Sequence, residues 1–239
     1  MGSRRWAWLL LPVPIAAAIA AVAVGFVPRA RVFTPWLFGM SRVGDALFAD
    51  APMSPAQRQS LVSAVDAAGR KGAAFWGESV AVPVMCACST PACYRLLGGG
   101  QDRGHTFFGR VLLSPRGLDA VIITHEWTHA ELTRRIGGFS RVPTWFSEGL
   151  AVVASEDSRY SEEAWQRETD AGRRASAVSD LESLRQFLDH PRAYLTAAHE
   201  VRRWLSNVGR AGLLRLIDAV KAGDEFHQAY HRIDGHPAG

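Results

Sequence analysis

His125-Glu126-Trp127-Thr128-His129, set in the run Leu118-Asp119-Ala120-Val121-Ile122-Ile123-Thr124, is the stretch that decides how this chain reads. Leu118 to Ile136 is unbroken by Pro or Gly and ends at Gly137-Gly138, which predicts one long helix. Residues four apart on a helix lie on one face about one turn apart, so His125 and His129 can converge on a single ion. Two imidazoles at that spacing suit a tetrahedral zinc ion, and Glu126 is placed beside the ion rather than on it. Zinc lowers the pKa of a bound water towards about 7, and a neighbouring carboxylate can take the proton as that water attacks a carbonyl. The apolar Val121-Ile122-Ile123 just before the motif predicts a largely buried helix. Buried imidazoles and a buried carboxylate there need a charge partner, which a metal supplies.

A hydrolytic zinc site takes a third protein ligand and keeps one position open. Eighteen residues intervene between His129 and Glu148, which stands in Pro143-Thr144-Trp145-Phe146-Ser147-Glu148-Gly149-Leu150-Ala151. With HExxH before it, this segment resembles the gluzincin metallopeptidases, a group that includes the M1 aminopeptidase clan and the small peptidase MA-like proteins. The resemblance is detailed from about Leu118 to Ser155 and looser elsewhere. It implies a zincin-like α+β fold, one Zn²⁺ held by His125, His129 and Glu148, and Glu126 as the base that activates water. It also implies that the strand expected over His105 to Ser114 edges the cleft and pairs with substrate backbone. His105 reads as a strand-end polar residue. Tyr194 resembles a tyrosine on a later helix that supports the oxyanion, with His199 and Tyr160 as weaker alternatives. Glu131, Glu156 and Asp119 are the candidates to orient the two histidines. Two departures narrow the class. Val152 stands where a thermolysin-type site carries an acid, and no G-x-M-E-N motif precedes His125, so exopeptidase action has no support. The expectation is an endopeptidase acting on a peptide or protein substrate. A catalytically idle zinc-binding or scaffolding protein at the membrane surface, and a zinc amidase of a non-peptide substrate, stay open. An idle site would have no chemical need for Glu126.

On either side of this region the chain is ordinary globular sequence, 48% hydrophobic and 21% charged over 239 residues, enough for one sizeable core. The net charge of +4 is carried almost wholly by scattered Arg, with Lys71 and Lys221 the only lysines and no aromatic interleaving, so no nucleic-acid partner is expected. Arg4 and Arg5 precede an uncharged run from Trp6 to Val27, long enough as a helix to cross a bilayer core. It reads as a retained membrane anchor. A signal peptide cleaved near Ala21-Val22-Ala23, leaving a secreted protein, is the alternative. Both put the folded domain outside the cytoplasm, where one disulfide pairing Cys93 with Cys88 or Cys86 would persist. The domain reading is therefore 1–28 anchor or signal, 29–52 connector and 53–235 zincin-like domain. A small mixed sheet, with strands near Val80–Met85 and His105–Ser114, should pack on the HExxH helix. Further helices are expected from Ser54-Pro55, from Thr90-Pro91, from the capping box at Ser179 to Glu182, and from Pro191 onward. The C-terminal half is therefore mostly helical.

Overall fold

The computed structural model describes residues 27–78, 80–138, 141–170 and 178–235. The expected membrane or signal segment lies almost wholly outside them, and no helix among the described residues is long and apolar enough to cross a membrane. The fold is mixed α+β. Its sheet has five strands, β1 (Met40–Gly44), β2 (Leu47–Asp50), β3 (Met85–Ala87), β4 (Gly104–Phe107) and β5 (Arg110–Leu113), in the order β1-β2-β3-β5-β4. β2, β3 and β5 run parallel, and β1 and β4 pair antiparallel at the two edges.

Strand alternation sends the two sides of this sheet into different cores. Leu47, Ala49, Met85, Ala87, Val111 and Leu113 face helices α1 (Pro55–Trp76) and α3 (Ala120–Ile136). Phe48, Cys86 and Leu112, which are in register, face the other way. There they are covered by the 3₁₀ turns Pro28–Phe33 and Pro35–Phe38 and by helix α2 (Pro91–Leu96). A third core belongs to helices α4 (Thr144–Ser155), α7 (Ala193–Ala222) and α8 (Phe226–Asp234), where Trp145, Phe146, Trp204, Phe226 and Tyr230 stack edge and face. Short helices α5 (Glu162–Asp170) and α6 (Leu184–Asp189) fill the intervening chain.

Local chemistry explains most boundaries. Ser54 and Gln57 close a capping box on α1, and Asp119 accepts from the Val121 and Ile122 amides at 2.9 and 3.0 Å to open α3. Gly137, with φ +76°, ends α3 in the left-handed region. Gly209 (φ +63°, ψ −175°) interrupts α7 with a non-helical residue.

Several expectations are corrected. The stretch 29–52 is no connector, because it supplies β1, β2 and the cover of one sheet face. The strand expected from Val80 begins only at Met85, since Pro83 has no N–H to give a ladder. His105 to Ser114 is a hairpin rather than one strand, folded back at Phe108 (φ +49°) and Gly109 (φ +73°). The helix expected from Ser179 starts later, capped by Ser183 with Gln186, after a 3₁₀ turn over Val178–Leu181. The disulfide joins Cys88 to Cys93, with Cα atoms 5.5 Å apart, and Cys86 is a buried free thiol.

Candidate metal centre

α3 presents His125 and His129 from consecutive turns, and α4 crosses it carrying Glu148. His125 Nε2 stands 3.2 Å from His129 Nε2 and 3.2 Å from Glu148 Oε2, and His129 Nε2 lies 3.6 Å from that same oxygen. Among the described residues these three are the one group of histidine, cysteine and carboxylate side chains close enough to hold a metal ion. The spacing can be tested against what an ion needs. Ligands about 2.0–2.1 Å from a tetrahedral zinc stand about 3.3 Å apart. The observed triangle fits that, and two imidazoles with one carboxylate form a donor set zinc accepts.

The charges agree. Burial opposes an imidazolium at His129, yet the Glu148 carboxylate outweighs it and lifts the His129 pKa to about 9. Against its own burial, Glu148 is held well below the usual carboxylate range by His129 and His125. One proton thus sits where a cation would bind. Ser147 Oγ, 2.9 Å from His129 Nδ1, orients that ring so that Nε2 faces the centre.

Glu126 is buried beside the triad. Its carboxylate accepts from Thr106 Oγ1 at 3.0 Å, and the same hydroxyl donates to the Glu126 carbonyl at 2.8 Å. β4 can come this close because Gly104 has no side chain, a Cβ there lying 3.0 Å from Glu126 Cγ. Burial pushes the Glu126 pKa up, against the pull of His125 and His129, with the Glu148 charge adding to the rise.

The triad and Glu126 open into a cleft of about 510 Å³ bounded by β4 on one side and by Leu132, Val142, Leu184 and Leu188 on another. β4 is an edge strand, and no described strand pairs with its outer side. A larger cavity, about 690 Å³ and lined by Arg141, Glu182, Asp224 and His227, lies elsewhere and contains no such ligand set.

Tyr194, on the first turn of α7, lines the cleft. Its ring lies 6.3 Å from His125 and stacks on Tyr160 at 5.2 Å. Burial and then the Glu148 charge keep the phenol protonated. His199 is elsewhere, stacked on Trp165 and paired with Glu162 at 3.1 Å. His105 faces the cleft, its Nδ1 3.3 Å from Asp102, and takes no part in the triad.

None of the three carboxylates expected to orient the histidines is recorded bonding to either ring. Glu131 binds Arg134 and Arg135, Glu156 pairs with Lys71 at 2.7 Å, and Asp119 caps α3. Asp157, buried and clamped by Arg159, lines a small cavity that His125 also lines. The sequence signal was weak, since Glu156 and Asp157 are adjacent acids after α4. Glu156 adopts the left-handed cap (φ +54°), and its carboxylate reaches out to Lys71. Comparison with protein-family models and with curated proteins finds no match to the chain.

Proposed function

We propose that this chain is a zinc-dependent metallohydrolase of gluzincin type that cleaves peptide bonds as an endopeptidase. The observation that carries the proposal is the triangle of Nε2, Nε2 and Oε2 atoms at 3.2, 3.2 and 3.6 Å with a buried fourth group, Glu126, beside it. His125, His129 and Glu148 would hold the ion, which supplies Lewis acidity and makes a water acidic near neutral pH. Glu126 takes the water's proton at its carboxylate and passes it to the leaving amine. Burial raises its pKa, which makes the carboxylate a stronger base for that transfer. Thr106 holds the Glu126 carboxylate in place. The Tyr194 phenol, kept protonated, can donate to the developing oxyanion. The free edge of β4 favours an extended polypeptide over a small amide, since its unpaired backbone groups can add a substrate strand.

The test is metal content and cleavage of an unfolded protein by the purified chain beside two variants. Wild type should hold about one zinc per chain. Glu148→Ala should lose both zinc and cleavage. Glu126→Gln should keep zinc and lose cleavage by about 10²–10⁴-fold. Zinc retained in Glu148→Ala, or turnover retained in Glu126→Gln, rejects the assignment.

A further inference from the structure

Four large exposed apolar side chains of the N-terminal half, apart from Val27, Val82 and Leu96, lie on the 3₁₀ segment and the β4–β5 tip. Phe33, Trp36 and Leu37, in the 3₁₀ segment, are 37%, 59% and 67% exposed, and Phe108, at the β4–β5 tip, is 61% exposed. Ring contacts gather the aromatic ones into two groups. Trp36 leans on Phe48 of β2 at 6.4 Å, Phe33 meets Phe107 edge-on at 6.3 Å, and Phe107 meets Phe108 at 4.6 Å. Phe48 and Phe107 pack on the same core, on the sheet face opposite α3, so the two groups edge that one face as a ridge. Cations are threaded through it. The Arg110 guanidinium lies 4.6 Å over the Phe33 ring, and that of Arg31 lies 5.2 Å over Phe38.

The chain that leads into this ridge is the second observation. The uncharged run from Trp6 ends at Val27, itself 48% exposed, and the next residue opens the 3₁₀ segment. A run of that composition needs an apolar phase, and Trp36 and Leu37 follow its end by only nine and ten residues. Trp, Phe and Leu interspersed with Arg is the mixture that settles where acyl chains meet phosphates. Phe107 and Arg29 also line the metal-site cleft, so ridge and cleft share a rim.

We infer that this face of the folded domain docks on a phospholipid bilayer, with Phe33, Trp36, Leu37 and Phe108 at the acyl boundary and Arg29, Arg31 and Arg110 at the phosphates. On the hydrolytic reading, the cleft then opens beside the headgroups and meets polypeptide at the foot of membrane-embedded proteins. Only that consequence rests on the hydrolytic reading.

The test uses the full chain in phosphatidylcholine–phosphatidylglycerol vesicles. A nitroxide is attached in turn to Leu37→Cys, Phe108→Cys and, as a reference on the exposed face of α7, Ser206→Cys. The native cysteines do not compete, because Cys86 is buried and the other two are bonded to each other. Collisions with lipid-dissolved oxygen are compared with collisions with an aqueous nickel chelate. The oxygen-to-nickel ratio at 37 and 108 should exceed that at 206 several-fold. Ratios equal to the reference overturn the inference, as does a chain that fails to float with the vesicles. Labels that become shielded only as protein concentration rises assign the ridge to a second copy of the chain and overturn it equally. Zinc content and cleavage play no part in this readout, so it succeeds or fails apart from the proposed activity.

Discussion

His129 carries a proton that a bound metal would have to displace. With its pKa raised to about 9 by Glu148, the metal-free ring is charged at neutral pH. The sign follows directly: below about 9 zinc competes with a proton, so affinity should climb about tenfold per pH unit from pH 7 and level off near pH 9. Chelator competition across that range measures it, and a flat profile removes His129 from the ligand set. Asp157 is the other residue whose role can be weighed singly. Asp157→Asn keeps the shape and removes a charge from the cavity that His125 also lines, and zinc affinity should fall about 10–100-fold while the fold stays intact. Affinity equal to wild type would make Asp157 a partner of Arg159 alone. Of these side chains, His125, Glu126 and His129 were legible from spacing, because their relation is set inside one helix. Asp157 was not, because its aim depends on the left-handed turn at Glu156.

Helices α4 and α7 approach so closely that Gly149 has no room for a side chain. An added Cβ would collide with the Ala197 carbonyl, and it would stand 2.8 Å from Val201 Cγ2. A backbone carbonyl cannot swing aside, so Gly149→Ala should force the helices apart. We expect a loss of about 1–3 kcal/mol, seen as a Tm several degrees lower. Because Tyr194 lies one turn before Ala197 and Glu148 is next to Gly149, cleavage should fall more than zinc binding does. An unchanged Tm would show that the two helices slide freely. Helix starts were readable at Ser54 and Thr90, where a neighbour in sequence makes the cap and Pro follows it, but not at Asp119 or Ser183. The β4–β5 hairpin was missed because its turn falls at Phe108-Gly109, with an aromatic in a conformation that aromatics seldom adopt.

Two of the three cores share α3, and the part of the chain before residue 53 is needed to complete two of the three. Leu47 and Ala49 pack under α1 and α3, while Val32 and Met40 cover the opposite sheet face. A chain starting at residue 53 would leave β3, buried along its whole length, as a bare edge. It should fail to unfold cooperatively, whereas a chain starting at residue 28 should give one sharp transition by circular dichroism. Equal transitions would mean that β1 and β2 are an accessory hairpin. Glu148 entered as what the family resemblance implies, while the sequence alone determined the helix that carries His125 and His129 on one face and the helical character of the C-terminal half. Those features rest on contacts between residues three or four apart, or on caps made within one turn. Only the tertiary structure decided that β2 lies between β1 and β3 and that Phe33, Trp36 and Phe108 share a ridge. It alone put Asp157 and His125 on the wall of one small cavity. The physical reason is distance along the chain: β2 and β3 pair across nearly forty residues, and no local period announces a partner that far away.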